Sequence, residues 1–267
     1  MIRVLLPAAL LVATLAGASD APPPPDADQR PHELTIHGHT RIDPYYWLRE
    51  RENPEVIAYL EAENEYARAI MADTERLQEE LYEEIVGRID PIDESVPYEL
   101  NGYWYYTRYE EGQDYPIHCR RRGSLDAPEE IMVDANQLAE GHSYFALSGL
   151  TVSSDNQMIA FGIDTVGRRK YTIHFKDLTT GEILDRKIVD VTPNLAWAED
   201  ARVIFYTAKD PQTLRSYQVW RHEVEGTSED VLVYEETDET FSCYVTKTKS
   251  REYLVIGSSQ TLTLETT

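Results

Sequence analysis

A histidine beside a serine is the pairing in this chain with hydrolytic potential, because an imidazole within hydrogen-bond reach can turn a hydroxyl into a nucleophile. The pair lies in Gly141-His142-Ser143-Tyr144-Phe145, the nearest approach to a Gly-x-Ser-x-Gly nucleophile elbow. The elbow needs its glycines to relieve a strained strand-to-helix turn. Here Phe145 replaces the second glycine and a strand pattern follows, so Ser143 and His142 are assigned to loop structure. His37-Gly38-His39 places two imidazoles at i, i+2, which on a strand would share one face and could hold a metal. No cysteine or carboxylate at ligand spacing completes the set, and no metal site is expected. No Gly-rich phosphate loop, Cys-x-x-Cys, His-Glu-x-x-His or calcium-loop pattern occurs. No catalytic residue, metal ligand or cofactor is therefore assigned, and the residues that touch substrate stay unknown at this stage.

The elements around these residues are short strands that repeat. Leu150-Thr151-Val152-Ser153, Met158 to Ile163, Tyr171 to Phe175 and Ile183-Leu184 are four strands joined by turn residues at Ser154-Asp155-Asn156, Gly167-Arg168-Arg169 and Asp177 to Glu182. The order returns with Trp197 to Asp200, Val203 to Tyr206 and Tyr217 to His222, after roughly 45 residues, which is the blade period of a β-propeller. A further copy runs through Cys243-Tyr244-Val245, Tyr253 to Ile256 and Thr261 to Leu264. An earlier blade starts at Tyr98-Glu99-Leu100, where Asn101-Gly102 before Tyr103-Trp104-Tyr105-Tyr106 signals a type I′ hairpin. Its next strands are Tyr115 to Arg120 and Ile131 to Asp134, and Asn136 to Phe145 is an insertion. Cys119 and Cys243 fall on separate, non-adjacent blades, too far apart for a disulfide, and are expected to be buried free thiols.

Ahead of the blades, Asn53-Pro54-Glu55 is a helix start, with a capping side chain, proline in the first turn and an acid at the positive end of the dipole. Val56, Tyr59, Leu60, Ala67, Ile70 and Met71 follow at helical spacing. A second amphipathic helix follows Asp73-Thr74, with Leu77, Leu81, Ile85 and Val86 on one face, and Gly87 ends it. His32 to Trp47 is expected to be a mostly extended arm, and Arg88 to Val96 a linker.

The 267 residues carry 48 Asp and Glu against 25 Lys and Arg, a formal net charge of -23. That balance argues against a nucleic-acid partner, whose phosphates require clustered cations, and against an anionic membrane surface. A field of this sign draws in cationic ligands, although a solubilising acidic surface is the simpler reading. Met1 to Ala18 has a cation at Arg3, an apolar run from Val4 to Leu15 and the small triplet Ala16-Gly17-Ala18, the design of an export signal. The chain is thus divided into a signal peptide (1–18), a proline-rich leader (19–31), a helical arm (32–96) and a partial β-propeller (97–267), exported and periplasmic in a diderm bacterium.

The run His37-Gly38-x-x-Arg41-x-Asp43-Pro44-Tyr45-Tyr46-Trp47-Leu48-Arg49, followed by Pro54 to Asn64, resembles the amino-terminal region of the prolyl oligopeptidase family. Leu81-x-x-Glu84-Ile85, the Tyr103 to Tyr106 hairpin and Gly149-Leu150-x-Val152-Ser153-x-Asp155-Asn156 look most like its oligopeptidase B branch, also called protease II. The resemblance implies a mainly β fold with a helical amino-terminal arm: an incomplete seven-bladed propeller of about three and a half blades, with the α/β-hydrolase peptidase domain absent. It also implies that the arm packs on that missing domain, and that the whole enzyme is a serine endopeptidase acting on short peptides, after Arg or Lys in this branch. The propeller would gate their access. No position here matches the family's Ser, Asp and His motifs, so none is carried over, and the polypeptide alone is expected to be inactive and poorly soluble or partly molten. The alternative is a non-catalytic periplasmic propeller that binds a protein or peptide.

Overall fold

A computed structural model describes residues 22–266; the expected signal peptide lies outside them. The described residues form two compact units that divide between Ile89 and Asp90.

In the first unit, β1 (His32–Ile36) and β2 (His39–Asp43) form an antiparallel hairpin, followed by a 3-10 turn at Tyr46–Arg49. The mostly extended arm expected here is folded back on itself as this hairpin. His37 and Gly38 form its turn with φ of 53° and 77°, a geometry that glycine supplies without strain and that a lone histidine tolerates. A satellite core gathers behind it. Trp47 is buried, its indole Nε1 donates to the Asp28 carbonyl at 2.9 Å, and the Arg30 guanidinium lies 4.0 Å over its ring. α1 (Pro54–Met71) starts as its sequence requires, with Asn53 Oδ1 accepting from the Glu55 N–H at 2.9 Å. α2 (Glu75–Val86) follows a 3-10 turn and ends at Gly87. Gly87 has φ of -63°, so it ends the helix without the left-handed turn common at glycine stops. Only Val56 is buried on the two helices, and Leu60, Ile70, Leu77, Leu81 and Ile85 present their apolar stripes to solvent.

The second unit is a succession of antiparallel sheets. β3 (Tyr98–Leu100), β4 (Tyr103–Arg108), β5 (Ile117–Arg122) and β6 (Glu129–Asp134) make blade 1 in the order of the chain. Asn101 and Gly102 have φ of 52° and 77°, the two positive angles of the type I′ turn read from the sequence. The expected boundary at Pro97 moves forward to Asp90 because the preceding strip is stitched to β4. The Ser95 N–H donates to the Thr107 carbonyl and the Tyr109 N–H to that of Asp93, each at 2.8 Å. The segment expected as an insertion holds the short helix α3 (Ala135–Ala139), capped by Asp134.

β7 (Ala146–Val152), β8 (Met158–Asp164), β9 (Tyr171–Asp177), β10 (Ile183–Trp197), β11 (Val203–Lys209), β12 (Ser216–Glu223) and β13 (Val231–Glu235) form one seven-stranded sheet rather than two separate blades. The cause is β10. Its first half pairs with β9 and its last residues, Leu195 to Trp197, pair with β11, while Val191 is registered with both Tyr171 and Ala208. The strand bends through bulges around Asp190, whose φ is 58°. Blades 2 and 3 are thus the two halves of a bent ribbon. β14 (Ser242–Lys247), β15 (Leu254–Gln260) and β16 (Thr263–Thr266) form a three-stranded part of blade 4. Among the described residues the propeller is incomplete, and no sheet closes on itself.

The main core lies where the bent ribbon folds over itself, with Ile173, Phe175, Trp197, Ile204 and Val224 buried. A second core joins Tyr105, Met132 and Val133 of blade 1 to Ile159 and Phe161 of blade 2. Among the described residues, no helix is long and apolar enough to cross a membrane.

Candidate functional site

The first strand of every blade leads to one place. Leu100 and Asn101 at the end of β3, Thr151 and Val152 at the end of β7, Leu195 to Trp197 at the end of β10, and Thr246 and Lys247 at the end of β14 line a single hollow of about 370 Å³. These strands all finish at the same mouth, so the turns that follow them form an arc around it. The hollow is the channel side of the partial propeller and its candidate functional site.

The arc is laced by polar contacts from blade to blade. Asn156, in the turn after β7, donates through Nδ2 to the Asn101 carbonyl of blade 1 at 3.2 Å. The Ser154 hydroxyl donates to the Glu199 carbonyl at 2.7 Å, and Lys247 Nζ of blade 4 reaches the Glu199 carboxylate at 2.7 Å. Lys247 holds the Glu199 carboxyl below its usual range, first by this hydrogen bond and then by its charge, and Arg251 adds to the effect. Deeper between blades 3 and 4, Asn194 stands in for a strand residue: its Nδ2 donates to the Val245 carbonyl at 2.9 Å and its Oδ1 accepts from the Val245 N–H at 2.8 Å.

Apolar Leu100, Val152 and Leu195 line the hollow, and the turn after β14 brings basic Lys249 and Arg251 to its mouth beside Lys247. A cleft of apolar side chains with a few charged groups suits a short peptide, whose side chains seek the apolar lining and whose ends or charged side chains seek the cations. The rim residues were not singled out from the sequence. Their signal is the alternation Lys247-Thr248-Lys249-Ser250-Arg251 in a strongly acidic chain, a local inversion of charge.

A smaller cavity of about 230 Å³ lies between blades 1 and 2, lined by Tyr98, Tyr105, His118, Leu150, Val152 and Ile159 among others. Burial lowers the pKa of His118, which favours the neutral ring.

No hydrolytic centre forms among the described residues. His142 and Ser143 sit exposed in the turn after α3, and no serine hydroxyl or cysteine thiol is hydrogen-bonded to a histidine. His37 and His39 do not share a strand face, because His37 is in the turn, and no cluster of metal-ligating side chains occurs among the described residues. One acid–histidine pair has the spacing of a catalytic dyad: His222 Nδ1 lies 2.6 Å from Asp230 Oδ1. The other ring nitrogen of His222 accepts from Arg186 Nε at 3.1 Å instead of facing a hydroxyl, and Asp230 also takes the Tyr206 phenol at 2.8 Å. With no nucleophile to activate, this part-buried group ties β10, β11 and β12 to Asp230, the residue before β13. Cys119 and Cys243 are buried free thiols as expected, and burial pushes them up to about 12 and about 11 respectively.

The comparisons agree with this architecture. The family model described as "Prolyl oligopeptidase, N-terminal beta-propeller domain" matches residues 24–266. Dipeptidyl aminopeptidase BI of Pseudoxanthomonas mexicana is 41% identical over 284 residues, covering 98% of this chain and 39% of the relative. Protease 2 of Moraxella lacunata is 35% identical, covering 90% of this chain and 36% of the relative. The structure of oligopeptidase B from Leishmania major superposes with a TM-score of 0.85 at 32% identity, over 91% of this chain and 37% of that one. The chain therefore spans well under half the length of these relatives, and the four sheets of the described residues are all antiparallel, so the described residues hold the propeller region and no α/β-hydrolase sheet. The chain belongs to the prolyl oligopeptidase family, of which it carries the amino-terminal β-propeller region.

Proposed function

We propose that this chain is the arm and propeller portion of an exported serine oligopeptidase, and that its channel admits short, flexible peptides which the enzyme cuts after Arg or Lys. The observation that carries the reading is the likeness to oligopeptidase B over 91% of the chain, together with a hollow at which the first strands of all the blades converge. The exposed apolar stripes of α1 and α2 support the role of the arm, since helices of this kind gain most of their stability from a partner surface. The partner we infer is the peptidase domain that the family resemblance implies. The signal-like stretch Met1 to Ala18 supports export, and the net charge of -23 supports a preference for basic peptides.

Assay of the complete gene product on chromogenic peptides ending in Arg, Lys, Pro or Glu tests the reading. Turnover restricted to Arg and Lys and abolished by a serine-directed inhibitor is expected. Equal turnover of the Glu peptide, or none of any peptide, overturns it. A second reading has one observation in its favour, the 41% identity to a protein named dipeptidyl aminopeptidase BI. Acetylation of the substrate's amino terminus separates the two, because it abolishes removal of amino-terminal dipeptides and leaves endopeptidase cleavage intact.

A further inference from the structure

We propose that Lys249 and Arg251, on the rim of the channel mouth, bind the terminal carboxylate of an incoming peptide, so that chains meet this surface carboxyl end first. The inference rests on the peptide-channel reading above and adds which end of the substrate the mouth recognises.

Acids outnumber bases by 48 to 25 in this chain, so an exposed cation has many carboxylates to pair with. Lys247 has one in Glu199. Among the described residues, no carboxylate lies within ion-pair distance of Lys249 or Arg251, though both line the hollow. Lys247 is in ion-pair contact with Glu199 and Arg251 acts on that carboxylate only by its charge, from beyond ion-pair distance, so Lys249 and Arg251 keep their donors for a carboxylate from outside.

The turn that carries them is well defined. The Thr248 N–H donates to the Tyr253 carbonyl at 2.9 Å, the Arg251 N–H donates to the Thr248 carbonyl at 2.9 Å, and Arg251 itself has φ of 66°. A left-handed arginine closes the turn and places Lys249 and Arg251 at the same lip. The contacts Asn156 to Asn101, Ser154 to Glu199 and Lys247 to Glu199 hold that lip against the turns of the other blades. Leu100, Val152 and Leu195 of the same hollow offer apolar surface to the last side chains of the peptide. Cationic lip and apolar lining together match a carboxyl terminus, where a charge and one or two side chains lie side by side. A polyanion would find two free cations and then the acidic remainder of the surface.

The test compares three forms of one short substrate peptide on the complete gene product: carboxyl-terminal acid, carboxyl-terminal amide, and amide with one internal Glu. A fully formed but exposed ion pair contributes up to about 1 kcal/mol, so the acid is expected to show a KM about fivefold below that of the amide. In the double variant Lys249→Gln/Arg251→Asn the ratio should fall to about one; asparagine is chosen because it tolerates the left-handed backbone. Equal KM for acid and amide in the native protein, or a ratio that persists in the variant, overturns the proposal. An internal-Glu peptide that matches the acid overturns recognition of the chain end. Fluorescence anisotropy with labelled forms of the same peptides decides the point even if none is cut, so loss of the peptidase reading and loss of the carboxylate site give different patterns.

Discussion

Between blades 2 and 3 the backbone itself crosses, β10 giving its first half to one sheet and its last residues to the other, whereas between blades 1 and 2 no strand crosses and side chains alone make the junction. The first seam is filled. Trp197 donates to the Thr151 carbonyl at 3.0 Å, Phe175 stacks on His222 at 5.5 Å, and Gly149 of β7 lies so close to the β10 bend that an added Cβ would sit 2.1 Å from the Pro193 carbonyl oxygen. The second seam keeps a cavity of about 230 Å³; beside its core of Tyr105, Met132, Val133, Ile159 and Phe161, and a hydrogen bond from Lys176 Nζ to the Met132 carbonyl at 2.8 Å, its polar contacts gather on one residue. Asn156 accepts from the Tyr105 phenol at 3.1 Å and from Arg120 Nη1 at 2.8 Å, and donates to Asn101. A seam crossed by a strand opens only by breaking its hydrogen-bond ladder, while a seam of side chains can part and close again. The compliance of this half-ring therefore belongs at the seams no strand crosses, between blades 1 and 2 and between blades 3 and 4, of which the first keeps the cavity.

The largest expected effect breaks the filled seam. Gly149→Ala places a methyl group against the Pro193 carbonyl at a position whose φ is 70°, and overlap plus backbone strain should cost about 3 kcal/mol or more. Thermal unfolding of the complete gene product checks it; an unchanged transition would show that β7 and β10 are less tightly apposed than described.

Next in size is Asn156→Ala, which removes two side-chain contacts across the open seam and a residue suited to φ of 63°. The expected loss is about 2 kcal/mol. Hydrogen exchange should accelerate in β3 to β6 and stay unchanged in β9 to β12; acceleration spread evenly over all blades would erase the contrast between the seams. Asn156→Gly keeps the backbone conformation and loses only the side chain, so it should fall between the two.

The smallest effect concerns the outer face of blade 1. The Arg108 guanidinium, by hydrogen bonding, and then the Tyr106 phenol hold the Glu129 carboxyl below its ordinary value, against an opposing contribution from burial. A carboxylate with a depressed folded-state pKa stabilises fully above the unfolded value of about 4.3 and loses that contribution as pH falls through the folded value. Blade 1 should therefore loosen on acidification within the carboxylate range, by under about 1 kcal/mol for this partly exposed pair. Glu129→Gln should flatten that pH dependence; an equally steep dependence in the variant would assign it to other groups.

Much of this was legible in the residues. Asn101-Gly102, the Asn53 cap and the strand runs of β8, β11 and β12 each act over a few residues, and their positions agree with the structure. The arm hairpin was missed because its turn is His37-Gly38, where only the second residue is a usual left-handed choice. The shared strand β10 was missed: strands were placed at Ile183-Leu184 and again from Trp197, and between them stand Asp190, Pro193 and Asn194, residue types common at turns. In the structure Asp190 takes a bulge and Asn194 pairs through its side chain, so the strand continues.

By itself the sequence determined which segments pair with their neighbours and where the chain turns, because strand alternation and turn chemistry are local. It also carried the family resemblance, in motifs spread from the arm to blade 2. Only the tertiary structure decided that Asn101, Thr151, Leu195 and Arg251 meet at one mouth. That meeting depends on the angle between successive blades, which is set by packing across the seams, and no spacing of residue types along the chain encodes it.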